Sequence, residues 1–236
     1  MSKPVVIEGF HACKHALRFG AKMQDLVTAD KAGLIHMLDR YARDIKDKVL
    51  NTVRVLDFNS FNTYSNVAIR TPLAGKALKQ TNDFSTIQYS QQPIVLLENP
   101  KNHENIGAIV RTAAGMNALA VVTTGSTDPW HKNAVRAAQG LHYALPVFRI
   151  SHVQTISDIF TKRPGIVFDE GGQDIETIQI PRGAILCFGS ERNGVSDHLR
   201  ELAHKIVSID QQVGVSSYNV AATAAMALFA VRYNHD

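Results

Sequence analysis

The sequence predicts an α/β protein in two parts: a small α/β unit, then a larger one whose mostly parallel sheet carries helices on both faces. Three observations predict it. From Pro93 to Tyr233, segments short enough for strands alternate with segments of helical period. Those strand segments are apolar throughout, the pattern of strands buried on both faces. Residues 79–92 (KQTNDFSTIQYSQQ) interrupt the pattern with a polar stretch that reads as a linker.

In the first part, Val5 to Ile7 is a short β-branched run, and His11 to Phe19 has helical spacing with Ala12, Ala16 and Phe19 on one side. Leu34, Met37, Leu38, Tyr41 and Ile45 recur at amphipathic intervals, so one helix is expected from Leu34 to Ile45. Val53 to Leu56 and Asn66 to Arg70 are candidate strands. In the second part, strands are expected at Pro93 to Leu97, Ala118 to Thr123, Leu145 to Ile150, Gly165 to Phe168, Ala184 to Phe188 and Lys205 to Ile209. Helices are expected at Ile106 to Met116, His131 to Gln139, Val153 to Phe160 and Asp197 to Ala203, with an Ala-rich closing helix from Val220 to Tyr233.

Composition excludes some classes. No apolar run is long enough to cross a bilayer, and the N-terminal segment lacks the apolar core of a secretory signal, so a cytoplasmic protein is expected. Cys13 and Cys187 read as reduced thiols. There is no HExxH or CxxC spacing among the histidines and cysteines, so no catalytic metal is expected. Neither a P-loop nor a G-x-G-x-x-G turn occurs, which disfavours a nucleotide-phosphate or dinucleotide site. The formal net charge of +4 is compatible with a polyanionic partner but weak evidence for one.

In parallel sheets ligands bind beyond the carboxyl ends of the strands, and three loops there are dense in polar residues. The first, Asn99 to Ala113 (NPKNHENIGAIVRTA), follows a strand and enters a helix. Asn105 can cap that helix. Arg111, among apolar neighbours, is expected to emerge from a largely buried helix and to need an anionic partner, internal or bound. The second, Phe188 to Asp197 (FGSERNGVSD), has Gly189 and Gly194, which permit close backbone approach or positive φ. The third, Ile209 to Val220 (IDQQVGVSSYNV), offers Ser216, Ser217 and Asn219 as caps of the closing helix.

In this order and at these distances, the three loops resemble the signature motifs of the SpoU/TrmH family of RNA 2′-O-ribose methyltransferases. Residues 105–113 (NIGAIVRTA) are similar to its first motif, 188–196 (FGSERNGVS) to its second and 215–221 (VSSYNVA) to its third. Residues 134–140 (AVRAAQG) with 145–147 (LPV) resemble the connecting segment, and the likeness covers Pro93 to Tyr233. At the N-terminus, residues 7–17 (IEGFHACKHAL) are similar to the opening of an L30e-like substrate-binding domain. The domains expected are therefore 1–76, an L30e-like RNA-binding domain; 77–91, a linker; and 92–236, the methyltransferase. Two positions depart from the pattern: Asp210 stands where the family usually has proline, and Tyr218 where it usually has leucine.

The resemblance implies the SPOUT α/β-knot fold, in which the second and third loops form a trefoil knot, a rare exception to unknotted chains. It implies S-adenosyl-L-methionine as cofactor, held by Phe188, Gly189, Glu191, Gly194, Ile209, Gln211, Ser217 and Tyr218. It implies Arg111 as the central catalytic residue, with Asn105, Glu191, Ser217 and Asn219 orienting it and the ribose. The partners implied are RNA, ribosomal rather than transfer RNA because of the N-terminal domain, and a second copy of the chain. The alternatives are a tRNA 2′-O-methyltransferase or a SPOUT-fold RNA-binding protein without catalysis.

Overall fold

A computed structural model describes residues 4–64, 71–81, 87, 90–150, 157, 158, 160–191 and 193–233. The chain divides into two compact units, Met1–Thr81 with Trp130–Ala144, and Asn82–Pro129 with Leu145–Asp236.

The first unit is built on a sheet ordered β1 (Pro4–Glu8), β4 (Ala74–Leu78), β2 (Met23–Thr28) and β3 (Arg54–Val55). β4 runs antiparallel to β1 and β2, while β2 and β3 are parallel. α1 (Phe10–Arg18) buries Phe10, Ala12, Cys13, Ala16 and Leu17. Phe19, expected on that buried side, is instead the C-cap residue and stands exposed ahead of Gly20 at φ 78°. The single helix expected from Leu34 to Ile45 is broken. α2 (Lys31–Tyr41), capped by Asp30, stops where buried Ala42 leaves helical geometry at φ −156°, and a 3₁₀ turn leads into α3 (Lys46–Thr52). α4 (Phe58–Asn62) is capped by Asp57. β2 and β4 were not foreseen, and β4 runs to Leu78, inside the stretch read as linker. The strand expected at 66–70 lies outside the described residues, as does most of the helix expected at 153–160.

Trp130–Ala144, read in the sequence as part of the methyltransferase domain, packs in the first unit. Its short helix α6 (Lys132–Ala137) runs into Gly140, at φ 74°, whose Cα lies against the Ala12 backbone. Nδ1 of His15 is 2.9 Å from the Gln139 carbonyl, and the Tyr143 hydroxyl donates to Leu78 O at 3.0 Å. Burial raises the Tyr143 phenol above its ordinary value and does the same to the Cys13 thiol.

The second unit is a six-stranded sheet ordered β10 (Lys205–Ser208), β8 (Gly165–Asp174), β9 (Ile185–Phe188), β5 (Ile94–Leu97), β6 (Ala120–Thr124) and β7 (Val147–Ile150). Every pairing is parallel. β5 and β9 are buried at every residue, which is why they lack polar alternation. From central β5 the chain moves out through β6 and β7, then returns to the other side, where β9 inserts between β8 and β5. The loops leaving β8, β9 and β10 therefore emerge side by side at one end of the sheet. β8 is longer than expected because Gly172 lets the β10 backbone approach; a Cβ there would meet Val207 N at 2.6 Å. Buried Arg163 ties this unit together through carbonyls. It donates to Gln92 O at 2.8 Å, to Gly183 O at 3.1 Å and to Ser90 O, and burial lowers its pKa.

Candidate active site

The first loop is positioned by α5 (His103–Gly115). Its N-cap is Asn102, not Asn105: the Asn102 side chain accepts from Glu104 N at 2.7 Å and Asn105 N at 3.4 Å. That frees the Asn105 side chain. The second loop folds back on itself, with Ser190 and Gly194 exchanging backbone hydrogen bonds at 3.0 and 3.1 Å. Gly194 has φ 64°, and a Cβ on Gly189 would run into the Gly194 carbonyl. The loop ends at Ser196, the N-cap of the helix Asp197–Leu202, and Glu98 holds it there: its carboxylate accepts from Ser196 N at 2.7 Å and from Ser196 Oγ at 2.6 Å. Asp169 pairs with Arg200 of the same helix.

The three loops meet in one hydrogen-bond relay. The Ala221 N–H donates to Asn219 Oδ1 at 2.8 Å, Asn219 Nδ2 to Asn105 Oδ1 at 3.1 Å, and Asn105 Nδ2 to Glu191 Oε1 at 3.0 Å. Both ends fix its direction, because a backbone N–H only donates and an ionised carboxylate only accepts. Burial pushes the Glu191 carboxyl up, but hydrogen bonds from its own N–H, from Asn105 and from the backbone of Lys101 and Asn102 outweigh this and leave it below its ordinary value. It is therefore an anion at neutral pH.

Beside the relay lies a cleft of about 1340 Å³. Asn105, Phe188, Gly189, Glu191, Gly194, Ile209, Gln211, Ser217, Tyr218 and Asn219 all line it. Gln211 Oε1 is buried without a hydrogen-bond partner, so it is an acceptor open to a donor from a ligand. The Tyr218 hydroxyl donates to the Asp210 carbonyl at 3.2 Å, joining the two positions that depart from the family pattern. Arg111 differs from expectation. It sits on the solvent side of α5, exposed, its side chain makes no ion pair or hydrogen bond among the described residues, and it does not line the cleft. The buried residues of α5 are Ile106, Gly107, Ile109, Val110 and Ala113, so its apolar neighbours in sequence face away from Arg111.

This geometry sits within a stretch, residues 92–229, that matches the family described as SpoU rRNA Methylase. The chain belongs to the SpoU rRNA methylase family. A 23S rRNA (adenosine(1067)-2'-O)-methyltransferase of Streptomyces azureus is 25% identical over 232 residues, 96% of this chain and 85% of that protein. Another of the same description, from Streptomyces laurentii, is 30% identical over 152 residues, 61% of this chain and 56% of its own length. The chain thus spans a little over half of one relative and most of the other. The crystal structure of the SpoU methyltransferase AviRb from Streptomyces viridochromogenes in complex with the cofactor AdoMet superimposes with a TM-score of 0.81 at 22% identity, covering 99% of this chain and 91% of that one. That likeness shows the SpoU fold.

Within that fold, sequence reasoning missed the residues contributed by β8. Phe168, Asp169, Glu170, Gly171 and Gly172 all line the cleft, and the Phe168 ring stacks on Phe188 at 5.0 Å. The pair Gly171–Gly172 at the end of an apolar strand was the available signal. Glu98, also missed, follows its strand directly.

Proposed function

We propose that the chain is an S-adenosyl-L-methionine-dependent RNA 2′-O-ribose methyltransferase acting on ribosomal RNA. The observation that carries this reading is the relay joining Asn219, Asn105 and Glu191 beside the cleft. It stands in a member of the SpoU rRNA methylase family with relatives named for 23S rRNA 2′-O-methylation. When bound, the cofactor supplies a methyl group on a sulfonium, an electrophile that needs no metal. The cleft fits it. The unpartnered Gln211 Oε1 is an acceptor for a nucleoside N–H or O–H, and Phe188, Gly189, Gly194, Ile209, Ser217 and Tyr218 supply walls of mixed apolar and backbone character. In this reading the chain threads the second and third loops as a knot.

The residues of the chain then divide the work. Asn105 and Asn219, locked in orientation by the relay, position the ribose, and the Glu191 carboxylate anchors them. Holding the reactants in line contributes at most about 7–11 kcal/mol. Arg111 grips the target phosphate and stabilises charge developing on the 2′-oxygen; a guanidinium stays protonated and is not the base. Its exposed, unpartnered position suits that role, with the RNA or a second subunit bringing Arg111 to a cleft. A homodimer is consistent with the exposed, stacked Phe229 and Tyr233 on the closing helix Val220–Tyr233. The first unit, residues 1–81 with 130–144, is an L30e-like domain that selects the RNA, the second unit carries the methyl transfer, and the protein works in the cytoplasm. Among the described residues no helix is long and apolar enough to cross a membrane.

The test pairs calorimetric titration of the cofactor with a transfer assay, for the wild type and Arg111→Ala. Retained cofactor affinity with transfer lost is the expected result. Full transfer by the variant would remove Arg111 from the chemistry, and no cofactor binding by the wild type would end the reading.

A further inference from the structure

The first unit carries, where α1 meets the end of α2, a surface that the cleft chemistry leaves unused. Two aromatic side chains stand out from it, Phe19 at 47% and Tyr41 at 43% exposure. Cationic side chains gather around Tyr41. The Arg40 guanidinium lies over the Tyr41 ring, 5.2 Å from its centroid. Arg18 donates to the Tyr41 carbonyl at 3.1 Å. The His11 ring lies 5.8 Å from the Tyr41 ring, and Lys14 Nζ is 3.3 Å from His11 Nδ1. The acid in contact, Asp44, is held by Arg18 at 2.6 Å. Lys14 and Arg40 make no ion pair among the described residues. Burial and the neighbouring Arg18 lower the Lys14 pKa, with Asp44 opposing them.

Folding does not call for this arrangement. Exposed lysines and arginines are the ordinary state of a solvated helix face, but half-exposed rings set among them keep apolar area in water. Rings and guanidinium planes interleaved with unpaired cations match one chemistry well: unstacked bases joined by phosphates. A protein partner of matching apolar character would not need the excess of cations.

We propose that this face holds unpaired RNA, with bases stacking on Tyr41 and Phe19 and phosphates meeting Lys14 and Arg40. The proposal rests on the reading of the chain as an RNA-modifying enzyme and names the surface by which its first unit grips the substrate.

The experiment uses the full chain and a ribosomal RNA fragment that the wild type methylates, with binding measured at several salt concentrations. Tyr41→Ala and Phe19→Ala should each weaken binding about tenfold without changing the salt slope, because stacking releases no counterions. Tyr41→Phe keeps the ring and should bind like the wild type. Lys14→Gln and Arg40→Gln should each lower the slope by about 0.7 to 1 unit. Calorimetric cofactor affinity and melting temperature, unchanged in all five, confirm that the variants are folded. The proposal is overturned if the alanine and glutamine variants bind RNA with wild-type affinity and slope, or if the aromatic variants lose association with a protein while RNA binding persists. A wild type that binds cofactor but no RNA overturns both the proposal and the reading beneath it.

Discussion

Replacing Asn105 by alanine removes the middle of the relay and strips two partners at once: Asn219 Nδ2 loses its acceptor and Glu191 loses a donor. A bond between neutral groups contributes about 0.5–1.5 kcal/mol and one to an ionised group about 1.5–3 kcal/mol. Both lie in solvent-exposed surroundings, so the low ends apply, about 2 kcal/mol together. In the free protein water takes the vacated places, and folding stability falls by less than about 1 kcal/mol. With RNA covering the site water is excluded and the whole loss appears in catalysis, about thirtyfold in kcat/KM. The assay is labelled methyl transfer to ribosomal RNA, with a double-mutant cycle against Asn219→Ala. If the relay acts as a unit, the double variant is little worse than either single one. Retention of kcat/KM within about twofold, or effects that simply add, would refute the reasoning. The pH dependence has a definite sign. The folded-state pKa of Glu191 is depressed, so its contribution is present above the unfolded-state value and disappears as pH falls through the folded one. The melting deficit of Asn105→Ala is therefore largest at neutral pH and shrinks in acid.

Three further outcomes follow from local geometry. Gly189→Ala forces a methyl into the Gly194 carbonyl, so it should cost about 1–3 kcal/mol in thermal unfolding and abolish calorimetric cofactor binding. Tyr218→Phe removes the bond to Asp210 O; cofactor Kd should rise about two- to tenfold, and an unchanged Kd would show that the contact does not shape the cleft. Arg163→Ala leaves three carbonyls without their donor and should lower the denaturant midpoint by the equivalent of about 3 kcal/mol, with the slope unchanged.

How much of this was legible in the sequence varies by element. The buried parallel strands and the closing helix were, because burial on both faces leaves continuous apolar runs. β2 and β4 were not: MQDLVT carries polar residues on an inward-turning strand, and AGKAL has no β-branched residue, so tertiary pairing overrides weak propensity there. Helical period continued through Ala42 into Ile45, yet the backbone breaks there, because period alone carries no stop signal. In the site, the ordered motifs named residues that the fold gathers around one cleft, Arg111 excepted. Asn105 had a ready explanation as a cap, and only the placement of Asn102 shows why it is free to bridge two other loops. Arg111 was expected to emerge from a largely buried helix beside an anionic partner; the turn of the helix carries it to the exposed side, and no partner meets its side chain among the described residues. The grip of Glu98 on Ser196 spans residues that no sequence spacing connects.

The central claim is transfer of a methyl group to a ribose 2′-oxygen, and the position of the label in the product tests it most directly. Ribosomal RNA treated with the protein and methyl-labelled S-adenosyl-L-methionine is hydrolysed in alkali, which cleaves wherever a 2′-hydroxyl can attack the neighbouring phosphate. A 2′-O-methyl group blocks that attack, so the label should emerge in alkali-resistant dinucleotides. Label in mononucleotides, marking a methylated base, or no label in RNA at all, would contradict the account.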